Sequence, residues 1–343
     1  MIPDGYITFA EARGTQGVRL ASAVDRLATS VHEHQARGDF AGDGPIFVGI
    51  GASLAAAAAP VWSLRSRGIH AWRLGTGDLP LPYPVSEHPI IGISQSGRSS
   101  ETLAVLESVD PRLRFAVVNH EPSPIADLVT KTISLGNIPD SYASTIGYTA
   151  TVVALGMIAD SWNGGTIDEA WGRLPDLVGR TQDAVGVRAA ELAATFAGVT
   201  SVDFVGAGPA VGSAEAGALL FREVARLPSS AMSTRQYLHG SMESAGPGVH
   251  VVFGDTRELE VAHTLSQAGH KVILITSERV EETGTLQVVG LPKVSAAPRA
   301  VLEAIVLQIL VEAVTNAAGI DIEEFVFHNS DTKVTTSATG PTQ

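Results

Sequence analysis

The residues best suited to chemistry lie in one short run, Ser94-Gln95-Ser96-Gly97-Arg98-Ser99-Ser100-Glu101-Thr102. It follows an apolar, strand-like stretch at 90–93 and precedes a helical pattern carrying Leu103 and Leu106. Hydroxyls combined with exposed backbone N–H groups at a helix start can hold a phosphate without a lysine. A helix N-cap at Ser99 or Ser100 is the plainer reading, and the two are compatible. Four serines in seven residues exceed what one cap uses, which favours phosphate. Gly49-Ile50-Gly51-Ala52-Ser53 reads as a strand–turn–helix junction of the same kind. It lacks the third glycine and the acidic partner of a dinucleotide fingerprint, so no nicotinamide cofactor is expected. Ser53 would add a hydroxyl to the same edge. Tyr142-Ala143-Ser144-Thr145 offers another, with a simple cap as its plain alternative.

A candidate proton carrier lies elsewhere. On a helix of 3.6 residues per turn, 215–227 places Glu215, Arg222 and Arg226 on one face and Leu220, Val224 and Leu227 on the other. Glu223 falls on the rim of the apolar stripe, between Leu219 and Leu227. Desolvation there would raise its pKa and suit a proton-shuttling base. Pairing with Arg226 would instead make it structural. His239, in Leu238-His239-Gly240, and Lys333, in a polar tail, are unremarkable alone: lone histidines are mostly structural or exposed, and tail lysines are solvated. No HExxH, clustered carboxylates or Cys/His spacing is present, so no metal is expected.

The elements that must position these residues show a repeat. Phe47-Val48-Gly49-Ile50-Gly51 reappears as Phe204-Val205-Gly206-Ala207-Gly208. Two further apolar runs, 90–93 and 115–119, reappear at 249–253 and 272–276, so all three offsets are 157 to 159 residues. Each copy reads strand, helix, strand, helix, strand. Short continuous apolar runs between helical patterns suit strands buried on both faces of a parallel sheet. The expected fold is α/β: two tandem doubly wound αβα sandwiches with parallel sheets, an N-terminal helix and a C-terminal tail. The expected divisions are a helical segment at 1–43, a first domain at 44–165 with the phosphate site, a helical linker at 166–200 and a second domain at 201–343. A late helix is expected over 297–317, opened by Pro298 and closed by Gly319. The Thr/Ser-rich composition of 327–343 says loop or disorder. In the second copy, Gly254-Asp255-Thr256-Arg257-Glu258 has replaced the serines, so one phosphate site per chain is expected.

Composition bounds the partners. The 343 residues allow two domains, and 45% hydrophobic against 17% charged residues supports sizeable cores. A net charge of −13 argues against nucleic acid, although a small phosphate is bound by local dipoles rather than net charge. With no cysteine there are no disulfides, Cys-ligated metals or thiol nucleophiles. The most apolar run, 54–62, is far below the ~20 residues of a membrane span, and the first residues lack a signal-peptide pattern. The expectation is a cytoplasmic protein with no membrane partner.

Gly51-Ala52-Ser53, Ser94-Gln95-Ser96-Gly97, Ala143-Ser144-Thr145, Arg222-Glu223, Leu238-His239-Gly240 and Lys333, in that order and spacing, carry a resemblance. Over about residues 40–335 the chain resembles the tandem sugar isomerase (SIS) domain family. It is similar to the isomerase half of glutamine–fructose-6-phosphate aminotransferase and to stand-alone phosphosugar isomerases, deaminases and fructosamine-6-phosphate deglycases. The resemblance implies sugar-phosphate contacts at Ser53, Ser94, Gln95, Ser96, Ser99 and Ser144. It implies that Glu223 moves a proton between C1 and C2, that His239 assists ring opening from a neighbouring subunit, and that Lys333 faces the open-chain sugar. The tail would then be an ordered strap. The implied activity is isomerisation or deamination of a hexose or aminohexose 6-phosphate, without a cofactor, in a homodimer with shared sites. A deglycase and a non-catalytic sugar-phosphate sensor are the alternatives. Three positions depart from the family's usual pattern: Leu220 where a lysine is common, Ser241 where proline follows His-Gly, and Arg98 where an acid is common. Glutamine hydrolysis is not expected without the family's cysteine.

Overall fold

Strands form wherever a short apolar run can be covered on both faces. In the computed structural model, which describes residues 5–78, 80–323, 325–327, 329 and 331–334, ten strands make two sheets, and the inner ones are runs of this kind. The first contains β1 (Ile46–Gly49), β2 (Trp72–Gly75), β3 (Ile90–Ser94), β4 (Arg114–Val118) and β5 (Thr132–Ser134), in the order β2-β1-β3-β4-β5. The second contains β6 (Val202–Gly206), β7 (Ser229–Ser233), β8 (Val249–Phe253), β9 (Lys271–Thr276) and β10 (Leu286–Gly290), in the order β7-β6-β8-β9-β10. Every pairing is parallel. The two orders correspond strand for strand, so the repeated runs are the inner strands of two copies of one topology.

Each copy has five strands rather than the three expected. The additions, β2, β5, β7 and β10, are the outer strands, and their signals are weak for physical reasons. β2 is only half-buried along its length, β5 has three residues, and β7 reads Ser-Ser-Ala-Met-Ser. An outer strand is covered less completely and needs less continuous apolarity.

Twelve helices connect and cover the strands of the described residues: α1 (Phe9–Ala36), α2 (Ala52–Ala56), α3 (Ala58–Ser66), α4 (Ser100–Glu107), α5 (Pro124–Leu128), α6 (Ile146–Ser161), α7 (Ala170–Gly186), α8 (Ala189–Ala194), α9 (Ala210–Glu223), α10 (Thr234–Leu238), α11 (Arg257–Gln267) and α12 (Ala296–Ala318). α6 and α12 are apolar all round and are buried along most of their length, as core helices must be. α1 packs along α6, and α12 packs against α6, α7, α8 and α9. By length and apolarity α12 could cross a membrane, which corrects the reading that 54–62 is the most apolar stretch. Arg299, Glu303 and Glu312 interrupt its run in the sequence, and in the fold its apolar residues form the core.

α9 ends at Glu223, short of the 215–227 helix expected, and Arg226 takes a left-handed conformation at φ 55°. Arg226, Val224 and Leu227 therefore fall outside the helix, and only Glu215 and Arg222 keep the shared face. Glu215 receives both guanidinium nitrogens of Arg73 in β2, and Arg222 Nε donates to the Ser229 carbonyl. α9 lies directly on the α2–α3 segment because Gly212 presents no side chain there. A Cβ at Gly212 would stand 2.4 Å from the Ala55 carbonyl oxygen and 2.7 Å from Ala58 Cβ. This close approach carries the end of α9, and Glu223 with it, to the loops of the first sheet.

Candidate functional site

In a doubly wound sheet of order 2-1-3-4-5, ligands bind beyond the carboxyl ends of the strands where the winding reverses, between the first and third strands. In the first sheet the segments leaving that point are Gly49–Ser53, after β1, and the serine loop, after β3. The serine loop turns back sharply. Gly97 sits at φ 63°, and a Cβ there would fall 2.1 Å from Ser123 Oγ, so only glycine fits. The Gln95 carbonyl accepts from the N–H groups of Asn119 and His120, at 3.1 and 3.2 Å, which ties the loop to the end of β4.

Ser99 is the N-cap residue of α4, but its side chain does not cap the helix. Its Oγ lies 2.9 Å from Ser94 Oγ, and Ser96 Oγ accepts from the Arg98 N–H. The hydroxyls are thus gathered within the loop rather than spent on the helix end. The Ser99 side chain therefore does not serve as the cap that the plainer reading requires.

Against the compositional reading, 331–334 is laid across this loop. The Ser100 N–H donates to the Thr332 carbonyl at 3.2 Å, Ser100 Oγ to the Asp331 carbonyl at 2.9 Å, and the Val334 N–H to the Arg98 carbonyl at 2.9 Å. Ser99 and Lys333 form an antiparallel bridge. Lys333 and Ser96 line one open cavity of about 730 Å3 with Arg98 and His120. Residues 335–343 lie outside those described.

The entrance to α6 supplies the third set of groups. Asp140, which sequence reasoning missed, accepts from the N–H groups of Thr145, Ile146 and Gly147 and from the hydroxyls of Ser144 and Thr145. It caps α6 and fixes Ser144 at 2.7 Å, leaving the Ser144 oxygen to accept from a ligand hydroxyl. Ser53, Gln95, Ser144 and Tyr148 line a cavity of about 40 Å3. Ser144 and Tyr148 are also walls of an adjoining cavity of about 30 Å3, whose other sides are Leu219, Leu220 and Glu223 of α9 and Leu307 and Gln308 of α12. Glu223 is an exposed residue at the end of α9, yet the protein packed around its carboxyl pushes it up to about 7. Burial is the sole cause, and no arginine contributes, which decides against the structural ion pair with Arg226.

The predicted residues therefore fall into three groups. Ser53, Gln95, Ser144 and Glu223 share adjoining cavities. Ser94, Ser96, Ser99 and Lys333 meet at the serine loop. His239 stands apart: it is exposed at the C-cap of α10 and lines neither these two cavities nor the one at the serine loop. Tyr148 and Gln308 were also missed. Tyr148 follows Ser144 by four residues, one helical turn, and Gln308 is a lone amide in an apolar helix; both signals were readable.

At the corresponding point of the second sheet, Asp255 stands where the first copy has hydroxyls. Burial opposes its charge, but Arg299, the Ser277 N–H and the Thr276 and Ser277 hydroxyls outweigh it and hold the carboxyl well below the usual range. A fixed negative charge already occupies the place an anion would take.

The domain of known structure that ends glucosamine–fructose-6-phosphate aminotransferase from Francisella tularensis superposes on 94% of this chain and 99% of its own, with a TM-score of 0.78 and 19% identity. The chain has the tandem SIS fold. The same fold is seen in tagatose-6-phosphate ketose/aldose isomerase from Escherichia coli, with a TM-score of 0.76, 18% identity, and 94% and 97% of the two chains covered. It is seen again in glucosamine-6-phosphate deaminase from Thermotoga maritima, with a TM-score of 0.69, 18% identity, and 92% and 98% covered. In sequence, 165 residues, 47% of the chain, are 27% identical to glutamine–fructose-6-phosphate aminotransferase (isomerizing) of Methanothermobacter thermautotrophicus, and the match spans 28% of that protein. No family model matches. The SIS fold accounts for the paired sheets, and the site above occupies the switch point of the first.

Proposed function

We propose that the chain is a phosphosugar isomerase or deaminase acting on a hexose or aminohexose 6-phosphate. The observation that carries this reading is the placement of Glu223, from the second copy, on a cavity sharing Ser144 and Tyr148 with the one that holds Ser53 and Gln95 of the first. The phosphate would rest in the serine loop among Ser94, Ser96 and Ser99, with the sugar extending toward Glu223. Glu223 takes the proton from C2 and returns it to C1, which interconverts aldose and ketose through the enediol. If C2 bears an amino group, the same transfer leaves an imine at C2; water adds, ammonia leaves and the ketose phosphate remains. General acid–base steps of this kind contribute ~10²–10⁴-fold. Lys333, held beside Ser99, would face the open-chain sugar.

The reading includes a homodimer with shared sites. His239 is exposed and lines none of the three cavities described above, so the partner's copy would open the ring. The glutamine–fructose-6-phosphate aminotransferase, tagatose-6-phosphate isomerase and glucosamine-6-phosphate deaminase named above supply the reaction class by analogy of fold. A panel of hexose and aminohexose 6-phosphates, scored for ketose formation and ammonia release, tests the proposal. Turnover of at least one is expected; binding without turnover of any would contradict it.

A further inference from the structure

What holds α9 against the first copy decides where Glu223 stands. Gly212 lets α9 approach α2 and α3, but the surfaces that meet there are alanines and backbone. Apolar contact is non-directional and does not fix register; a forked hydrogen bond does. Among the described residues, α9 makes one polar side-chain link to the first copy. Arg73 in β2 donates through Nη1 to Glu215 Oε2 and through Nη2 to Glu215 Oε1, the latter at 2.7 Å. Nη1 also donates to the Leu54 carbonyl in α2 at 3.3 Å. The other bonded side chains of α9, Ser213 and Arg222, reach Glu303 and the Ser229 carbonyl within the second copy.

The fork lies between the two halves of the site. Leu54 follows Ser53, so one guanidinium is bonded both to the segment that offers Ser53 and to the helix that ends in Glu223. Ala216, next to Glu215, is the first residue of α9 on the wall of Glu223's cavity. Glu223 lies about 12 Å beyond Glu215 along the axis, at 1.5 Å per residue. The pair is also felt inside the site. Burial first, then the charges of Glu215 and Glu303, push the Tyr148 hydroxyl up, and Arg73 opposes them.

We propose that Arg73 is a positioning residue for the proton transfer: its grip on Glu215 and the Leu54 carbonyl sets the register of α9 against α2 and so keeps Glu223 on the cavity it shares with Ser144 and Tyr148. This rests on the reading of Glu223 as the proton carrier and deepens it.

Arg73→Lys tests the fork, because lysine keeps the charge but acts as a point charge without the planar pair of donors. With a sugar phosphate that the wild type turns over, kcat of Arg73→Lys should fall ~10–100-fold, as a misplacement of about 1 Å at the reacting group produces, while KM stays within ~3-fold. The acid limb of kcat/KM should move from about 7 toward 4.5, because a shifted α9 packs less closely around the carboxyl. Glu215→Gln should show the same pattern, and it carries the test if Arg73→Lys does not fold. The double variant should be no worse than the poorer single one, since both remove one interaction. Lower melting temperatures with kcat per folded molecule and the acid limb at wild-type values would make the pair merely structural. That result would overturn the inference while leaving the sugar-phosphate reading standing. Normal turnover in Glu223→Gln, or none in the wild type, would overturn both.

Discussion

Glu223 is where local physics bears most directly on chemistry. A carboxyl pushed up to about 7 by burial is close to half-ionised near neutral pH and can both take and return a proton. Because the base form is the ionised one, kcat/KM should fall as pH drops through about 7, with the limb absent in Glu223→Gln. Glu223→Gln keeps shape but cannot accept the proton, so kcat should fall by ~10²–10⁴-fold while KM barely moves. Stability carries the opposite sign. The native carboxyl binds its proton more tightly than the unfolded one, whose pKa is near 4.5, so stability declines as pH rises from about 4.5 to about 7. Glu223→Gln should flatten that decline, which denaturant titrations at pH 5 and pH 8 would show. The apolar-rim position of Glu223 was readable from helical spacing. The absence of Arg226 as its partner was not, because the helix stops at Glu223 and the chain turns left-handed three residues later.

Among the elements, the entrance to α6 shows how a loop residue sets a site. Asp140 holds three N–H groups and two hydroxyls, so Asp140→Ala would leave several buried donors unpaired. A loss of ~2–3 kcal/mol is expected, measurable by denaturant unfolding, together with a raised KM as Ser144 loses its anchor. Unchanged stability would mean that water replaces the carboxylate at no cost. The inner strands β1, β3, β4, β6, β8 and β9 were legible because each is a continuous apolar run. The outer strands were not, since half-burial leaves no distinctive pattern. The strap illustrates the same limit. Composition at 331–334 says loop, and the backbone hydrogen bonds from Ser100 and to Arg98 that dock it come from residues more than two hundred positions away.

For the whole molecule, two sheets of one topology differ at their switch points: hydroxyls at the first, an internal Asp255–Arg299 pair at the second, with the close contact at Gly212 bringing α9 against the α2–α3 segment of the first. If dimers share sites, mixing equal amounts of His239→Ala and Glu223→Gln chains should restore about a quarter of wild-type activity, because half the dimers are hybrids with one intact site each. No restoration, with exchange of subunits verified, would place His239 in its own chain's site. The central claim is that the first copy holds the phosphate while the second moves the proton, and solvent-exchange NMR tests it most directly. In D2O, wild-type protein should wash deuterium into C1 or C2 of a bound hexose or aminohexose 6-phosphate. Glu223→Gln should bind the same sugar with nearly unchanged affinity and exchange it at least ~100-fold more slowly. Equal exchange by both proteins, or binding by the wild type with no exchange at all, would contradict the account.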